Sequence, residues 1–248
     1  MALALNLEKS AKSLVLSLEK AGIVTPPVLE VGFGLDVSGS FEDEHMDGTT
    51  SELLTRLIPW GLAFDPDRKL DVFTFSNGER NAHHVGDVNA QNYQDYVRRN
   101  IAGKVPGWNG GTDYSYLIER TLEHFGWAQA KQPGFFGRLM GRKAETAAGQ
   151  RKRSVIFIAT DGENSDKART IDVLRASEAR QDKVYFIFLG VSNQGSRFPF
   201  LESLGDQFSN TAFVAIPDLR KFVAMSDEDL NAQLIGDELL AWFGAKGN

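Results

Sequence analysis

The chain has 248 residues, with 27 Lys plus Arg, 33 Asp plus Glu, four His and no Cys. A polypeptide of this length can bury a sizeable core without staples, and one cooperative globule is expected. The lack of Cys excludes a disulfide framework, a thiolate zinc site, an iron–sulfur cluster and a cysteine nucleophile, and the net charge of −6 argues against nucleic acid as the primary partner.

The N-terminus shows no basic region followed by an apolar run of secretory length. No stretch approaches the ~20 apolar residues of a membrane span, so a cytoplasmic, soluble protein with no transmembrane segment is expected. Residues 1–27 stand apart as an N-terminal extension. Leu7, Ala11, Leu14 and Leu18 fit a helical stripe, while Leu14, Leu16 and Leu18 also alternate as in a strand. Both conformations stay open there, and so do two roles, a cover for the sheet or a docking arm for another subunit. Thr25-Pro26-Pro27 reads as a short linker.

Val28 to Asp36 is a strand candidate that runs into Val37-Ser38-Gly39-Ser40. After the Gly48-Thr49-Thr50-Ser51 turn, Leu53, Leu57, Trp60 and Leu62 keep near-helical spacing. Lys69 to Phe75 alternates strictly and stops at Ser76-Asn77-Gly78, and a short strand from His84 to Val88 is placed beside it. Gln91 to Ile101 and Asp113 to Phe125 read as helices, separated by the Gly- and Pro-containing loop from Gly103 to Gly111. Arg153 to Thr160 and Val184 to Leu189 are continuous apolar runs, the pattern of strands covered on both faces. An amphipathic helix joins them from Lys167 to Gln181. Ala212 to Ile216 is a last strand, and Ser226 with Asp229 opens a final helix running to Phe243. The fold class expected is α/β: a doubly wound, mostly parallel sheet flanked by helices on both faces, with one short antiparallel edge strand.

Acidic residues follow two of the buried strands, at Asp36-Val37-Ser38-Gly39-Ser40 and at Thr160-Asp161-Gly162. Open α/β sheets bind ligands beyond the carboxyl ends of their strands, where the strand order reverses. If the two strands are neighbours, Asp36 and Asp161 meet at one mouth, and Gly110-Gly111-Thr112-Asp113 brings a hydroxyl to the start of a helix. Two carboxylates and three hydroxyls, with no imidazole or thiolate, suit a hard cation; Mg²⁺ prefers ~six oxygens and keeps some waters. A divalent ion also removes the repulsion between the two carboxylates.

This arrangement, Asp-x-Ser-x-Ser, then a Thr, then Asp-Gly after a buried strand, resembles the metal-ion-dependent adhesion site of von Willebrand factor type A (vWA) domains. Residue by residue, the resemblance implies metal ligands at Asp36, Ser38, Ser40, Thr112 and Asp161, with none of the pattern missing. It implies a Rossmann-like vWA domain over residues 28–248, interrupted by a basic and aromatic insertion at about 131–153. Leu5-Asn6-Leu7-Glu8-Lys9, Leu16-Ser17-Leu18-Glu19-Lys20 and Met225-Ser226-Asp227-Glu228-Asp229 are similar to the bacterial branch linked to tellurium resistance and stress response. The function implied is binding of a protein partner whose acidic side chain completes the coordination of Mg²⁺, or of Mn²⁺ or Ca²⁺, without catalysis. The alternative is a Mg²⁺-dependent phosphoryl-transfer or hydrolytic enzyme with Asp36 as nucleophile. It needs a proton-handling partner that the motif does not supply, and Ser38 stands where an aspartate phosphatase would carry its second acid.

Other features read more plainly. Adjacent residues of a strand point to opposite faces, so His83 and His84 are expected to be surface histidines and not a joint metal pair. Asp113 reads either as a group that orients a ligand water beside the metal or as an early-helix acid favoured by the dipole, and the second reading is favoured. Gly32-x-Gly34 fails as a dinucleotide loop, because Val37 holds the third glycine position. Gly190 to Gly195 misses nucleophile-elbow spacing by one residue. The segment from Lys131 to Arg153 carries seven basic residues against Glu145, together with Phe135, Phe136, Leu139 and Met140. The reading favoured is an extended connection whose aromatics tuck onto the core; the other is a second contact for an acidic partner or a membrane surface.

Overall fold

The computed structural model describes residues 7–129, 153–192 and 195–244. The basic and aromatic segment expected at 131–153 lies outside these residues except for Arg153, and so do positions 193 and 194 of the Gly190–Gly195 loop.

Among the described residues six strands form one sheet: β1 (Leu29–Asp36), β2 (Leu70–Phe75), β3 (His83–Val88), β4 (Arg153–Thr160), β5 (Val184–Val191) and β6 (Thr211–Ile216), in the order β3-β2-β1-β4-β5-β6. Every pairing is parallel except that of β3, which lies antiparallel at the edge. The chain winds outward from β1 through β2 and then returns to lay β4 on the other side of β1. The strand order therefore reverses between β1 and β4, where Leu35 pairs with Ala159. Asp36 and Asp161 leave the sheet side by side at that point, as the doubly wound reading requires.

The two faces of β1 differ. Val31, Phe33 and Leu35 face a core built with α3 (Thr49–Phe64) and α1 (Leu7–Lys20). On the opposite face Gly32 and Gly34 admit α5 (Tyr114–His124): a Cβ on Gly34 would stand 2.4 Å from Leu117 Cδ2. The Gly-x-Gly of this strand thus serves close packing of helix on sheet. Phe73, Phe75, Ile156, Ile158, Phe186 and Phe188 complete that second core, under α5, α6 (Lys167–Ala179) and α7 (Pro199–Gln207).

Several elements depart from the patterns in the sequence. Of the two conformations left open for the N-terminal extension, Leu7–Lys20 takes the helical one, with Leu14 and Leu18 buried. The helix expected from Gln91 is shortened to α4 (Tyr96–Asn100). Asn side chains capture the backbone ahead of it: Asn92 Oδ1 accepts from Asn89 N and Asn89 Oδ1 from Gln91 N, both at 2.8 Å, while Asp95 turns left-handed at φ 51°. The final helix is two. After α8 (Leu219–Val223), α9 (Asp227–Leu234) begins at Ser226, whose Oγ accepts from Asp229 N at 3.1 Å as the capping pattern requires. Ile235 then leaves helical conformation ahead of Gly236, and α10 (Asp237–Gly244) starts afresh. Two short helices, α2 (Glu42–Met46) and α7, were not among the elements expected from the sequence.

Candidate metal centre

Three loops meet over the β1–β4 junction. The loop after β1 is fixed first: Val37 N donates to Phe75 O at 2.9 Å, and His45 of α2 places Nε2 2.9 Å from Asp36 O. A carbonyl can only accept, so Nε2 carries the proton and Nδ1, 3.0 Å from Thr50 Oγ1, accepts. Burial pushes the His45 imidazole down to about 4, and the ring is neutral. Trp108 packs against it, with ring centroids 5.3 Å apart.

The loop before α5 comes next. Gly39 N donates to Gly110 O at 3.1 Å, and Asn109 N donates to Val37 O at 2.9 Å. Asn77 Oδ1 accepts from Gly111 N at 2.8 Å and would clash at 2.7 Å with a Cβ on Gly110. The loop after β4 closes the arrangement. Ser165 N holds Thr112 O at 3.0 Å, and Asp166 accepts from Tyr114 N and Ser115 N at 3.1 and 2.9 Å.

Asp166, and not Asp113, thus satisfies the free amides at the start of α5. Asp113 was expected to be an early-helix acid, but its carboxylate accepts from Gly78 N at 2.8 Å and from Ser165 Oγ at 2.6 Å. It ties the β2–β3 loop to the β4–α6 loop. Asp113 is the N-cap residue of α5 with the extended backbone usual there, yet its side chain makes no capping hydrogen bond.

These loops bring the five residues singled out from sequence together, in two groups. Asp36 Oδ2 lies 3.2 Å from Thr112 Oγ1, and Asp161 Oδ1 lies 2.9 Å from Ser40 Oγ and 3.4 Å from Ser38 Oγ. Ser38 joins the groups, since its N–H donates to Asp36 Oδ1 at 2.8 Å. Burial is graded across the cluster. Asp36 and Ser38 form a buried floor, Thr112 and Asp161 are half-buried, and Ser40 stands exposed on the rim.

Thr160 escaped sequence reasoning. It is buried at the end of β4, and its Oγ1 approaches Asp36 Oδ2 at 2.6 Å, closer than any of the other four. Its position just before Asp161-Gly162 was the available signal. Tyr114, also fully buried, donates from its hydroxyl to Gly162 O and braces the Asp-Gly turn.

Electrostatics sets the character of the cluster. Burial pushes the Asp36 carboxyl up to about 7, against hydrogen bonds from Thr160 and Ser38 that pull it down, and the Asp161 charge pushes further upward. Burial also raises Asp161, helped by the nearby Glu44 and opposed by the Ser40 hydroxyl. Two carboxyls held above their ordinary range in a cluster of hydroxyls are costly to ionise together.

A family model described as the vWA domain found in the TerF C terminus matches residues 28–247. The chain belongs to this TerF-like vWA family. This vWA protein is also 24% identical over 237 residues to the uncharacterized protein YcbR of Bacillus subtilis strain 168, a similarity covering 94% of this chain and 84% of YcbR. Among solved structures, the fold is similar to proximal thread matrix protein 1 of the mussel byssus, described with a zinc-occupied metal-ion-dependent adhesion site. The TM-score is 0.50 at 16% identity, over 83% of this chain and 45% of the mussel protein. The chain therefore spans less than half the length of that relative. The N-terminal domain of TFIIH p34 is similar at the same TM-score and 15% identity, over 80% of this chain and 95% of that domain.

Among the described residues, no helix of the vWA chain is long and apolar enough to cross a membrane. Those residues also hold a group absent from the expectations. His84 is not a plain surface histidine: its Nε2 lies 3.2 Å from Asp71 Oδ1, and His124 Nε2 lies 3.3 Å from the same oxygen. His83 beside it is exposed, so the two adjacent histidines do part company as strand geometry dictates.

Proposed function

We propose that this vWA chain is a divalent-cation-dependent protein-binding module, with the cation held by Asp36, Ser38, Ser40, Thr112 and Asp161 and completed by a carboxylate of the partner. The observation that carries the reading is the meeting of Asp36 and Asp161 at the strand-order reversal, one buried and one half-buried carboxyl amid hydroxyls with an exposed rim. Such a donor set fits a hard divalent cation. The ion would supply the counter-charge that burial denies Asp36, and each hydroxyl keeps lone pairs to offer it. Two carboxylates make a bound divalent ion formally neutral, and the open side at Ser40 is where an outside acid would arrive. Mg²⁺ suits the all-oxygen set best, with Mn²⁺ and Ca²⁺ as substitutes.

The similarity of the Leu5–Lys9, Leu16–Lys20 and Met225–Asp229 segments to the tellurium-resistance and stress-response branch, together with the TerF-like family description, supports placing the module in that bacterial context. The hydrolytic alternative draws no support from Asp36. Both of its oxygens already accept hydrogen bonds, one from Ser38 N and the other from Thr160 and Thr112.

Thermal unfolding in EDTA and in Mg²⁺ tests the reading. At a hundredfold excess over its dissociation constant, Mg²⁺ should stabilise the wild type by about 2.7 kcal/mol, and Asp161→Ala should abolish the response. Identical melting with and without Mg²⁺ for the wild type, or an undiminished response in Asp161→Ala, overturns the reading.

A further inference from the structure

We propose that Asp71, His84 and His124 form a second metal site, separate from the oxygen cluster, that takes a divalent transition cation of the Zn²⁺ class. One possible ligand atom from each of Asp71, His84 and His124 lies within 4.8 Å of the other two. Both imidazoles aim the same nitrogen at the same oxygen, at 3.2 and 3.3 Å. These separations stand at the long end of the N–H···O hydrogen-bond range. They match the edge of a tetrahedron of ligands, about 3.3 Å when metal–ligand bonds are about 2.0–2.1 Å.

The surroundings hold these side chains in place. Asp71 faces the α5 side of β2, four residues before Phe75, which pairs with Asp36. The new group therefore sits about 13 Å along the strand from the first. The register between β2 and β3 slips between Val72 and Phe73, a bulge that sets His84 opposite Phe73; such irregularities re-aim side chains. Phe73 packs on both imidazoles, with ring centroids 4.8 Å from His84 and 5.2 Å from His124. His124 is the last residue of α5, where the helix dipole favours a cation. Asp71 is 4% exposed while the histidines are 34% and 29% exposed, which leaves an approach from solvent over the imidazoles.

Donor chemistry separates the two centres. Two imidazole nitrogens and one carboxylate oxygen prefer Zn²⁺, Co²⁺ or Ni²⁺, whereas an oxygen-only set prefers Mg²⁺. A metal here would clip the edge hairpin β2–β3 to the end of α5, leaving a coordination position open. One resident competitor is present: Lys69 Nζ lies 3.2 Å from Asp71 Oδ1 and already neutralises that carboxylate. Lys69 must release Oδ1 or share Asp71 when the metal binds.

Co²⁺ provides the test, because its visible bands are strong when nitrogen donors hold it in a four- or five-coordinate site and weak in an octahedral oxygen site. Titrating the full chain with Co²⁺ should raise strong bands that saturate at one equivalent and are displaced by Zn²⁺. His84→Gln and His124→Gln should each lose them, and Asp161→Ala, which disables only the oxygen cluster, should keep them. Lys69→Met should tighten Co²⁺ binding about tenfold by removing the competing charge. Weak bands only in the wild type, or strong bands that survive both histidine substitutions, overturn the proposal. Failure of a histidine variant to fold leaves Lys69→Met decisive: unchanged affinity there overturns it as well.

Discussion

Asp36→Asn probes the electrostatic floor of the oxygen cluster. Burial raises this carboxyl from its ordinary 3.8 to about 7. The folded state therefore binds a proton that the unfolded chain has released between those two values. The stability contributed by that proton is fully present below pH 3.8 and is lost as pH rises through 7. At about 1.4 kcal/mol per pKa unit, the ionised carboxylate costs the cation-free fold about 4 kcal/mol at pH 8. Asparagine removes this charge and still fits the hydrogen bonds. Its Oδ1 can accept from Ser38 N while its Nδ2 donates to Thr160 Oγ1. The Thr160 hydroxyl has a second acceptor in Gly162 O, at 3.1 Å, to which its proton can turn. Allowing about 1 kcal/mol for an imperfect exchange, Asp36→Asn should be more stable than wild type in EDTA at pH 8 by about 3 kcal/mol. For a chain of this length that is roughly 6–12 °C in Tm.

The pH dependence is the decisive readout. At pH 5 the wild-type carboxyl is mostly protonated and the advantage of Asp36→Asn should shrink to below about 1 kcal/mol. Saturating Mg²⁺ at pH 8 should raise the wild type and leave the variant unmoved, which narrows the difference from the other side. Urea or thermal unfolding at pH 5, 6.5 and 8, each in EDTA and in Mg²⁺, measures all of this. A difference between the proteins that stays the same from pH 5 to 8 would refute the reasoning, since the buried carboxyl would then carry no charge-dependent cost.

Three further outcomes are expected. His45, neutral through burial, should stay unprotonated at pH 5 in an NMR titration and titrate near 4; because the unfolded imidazole takes its proton near 6.5, the fold should lose about 3 kcal/mol as pH falls across that window. A ring titrating near 6.5 would contradict this. Gly34→Val should destabilise by about 1–3 kcal/mol in urea by forcing α5 off β1 through Leu117, and an unchanged midpoint would show that the helix has room to spare. Asp166→Ala should cost about 1–2 kcal/mol by freeing the Tyr114 and Ser115 amides, and should weaken the Mg²⁺ response by loosening the loop that holds Thr112; a variant with wild-type melting in both EDTA and Mg²⁺ would remove Asp166 from that role.

How much was legible in the sequence follows the range of the forces involved. The strands were readable because burial on both faces leaves unbroken apolar runs, as in Val155 to Ala159. Asp36 and Asp161 were readable because they end two such runs. The residues that brace the cluster were not. His45 reaches Asp36 O only because α2 folds back beneath the loop after β1, and a five-residue helix leaves no periodicity. Asp166 caps a helix that begins 52 residues earlier. The Asp71, His84 and His124 group requires the β2–β3 register, its bulge and the length of α5 together.

The braces and the donors also differ in what they contribute to stability, and that difference supports the functional reading. His45, Asp166 and Asp113 have their polar atoms satisfied by amides, carbonyls or hydroxyls. Asp36 is held by good hydrogen bonds as well, yet burial still makes its ionised form expensive. A fold under pressure for stability alone has a ready remedy at that position, an amide of the same shape. Keeping an acid where a neutral isostere would fit is the kind of local cost that folds retain at binding sites. It becomes neutral or favourable once a cation bridges Asp36 and Asp161. The same reasoning separates the two centres: burial pushes the Asp71 carboxyl up as well, but His124, His84 and Lys69 outweigh it and hold the group well below the usual carboxylate range, so its ionised form is already stabilised without an ion. Occupancy of the oxygen cluster should therefore govern the stability of the whole vWA fold, whereas a metal at Asp71 has to displace charges already in place and should register first in spectra and only weakly in melting.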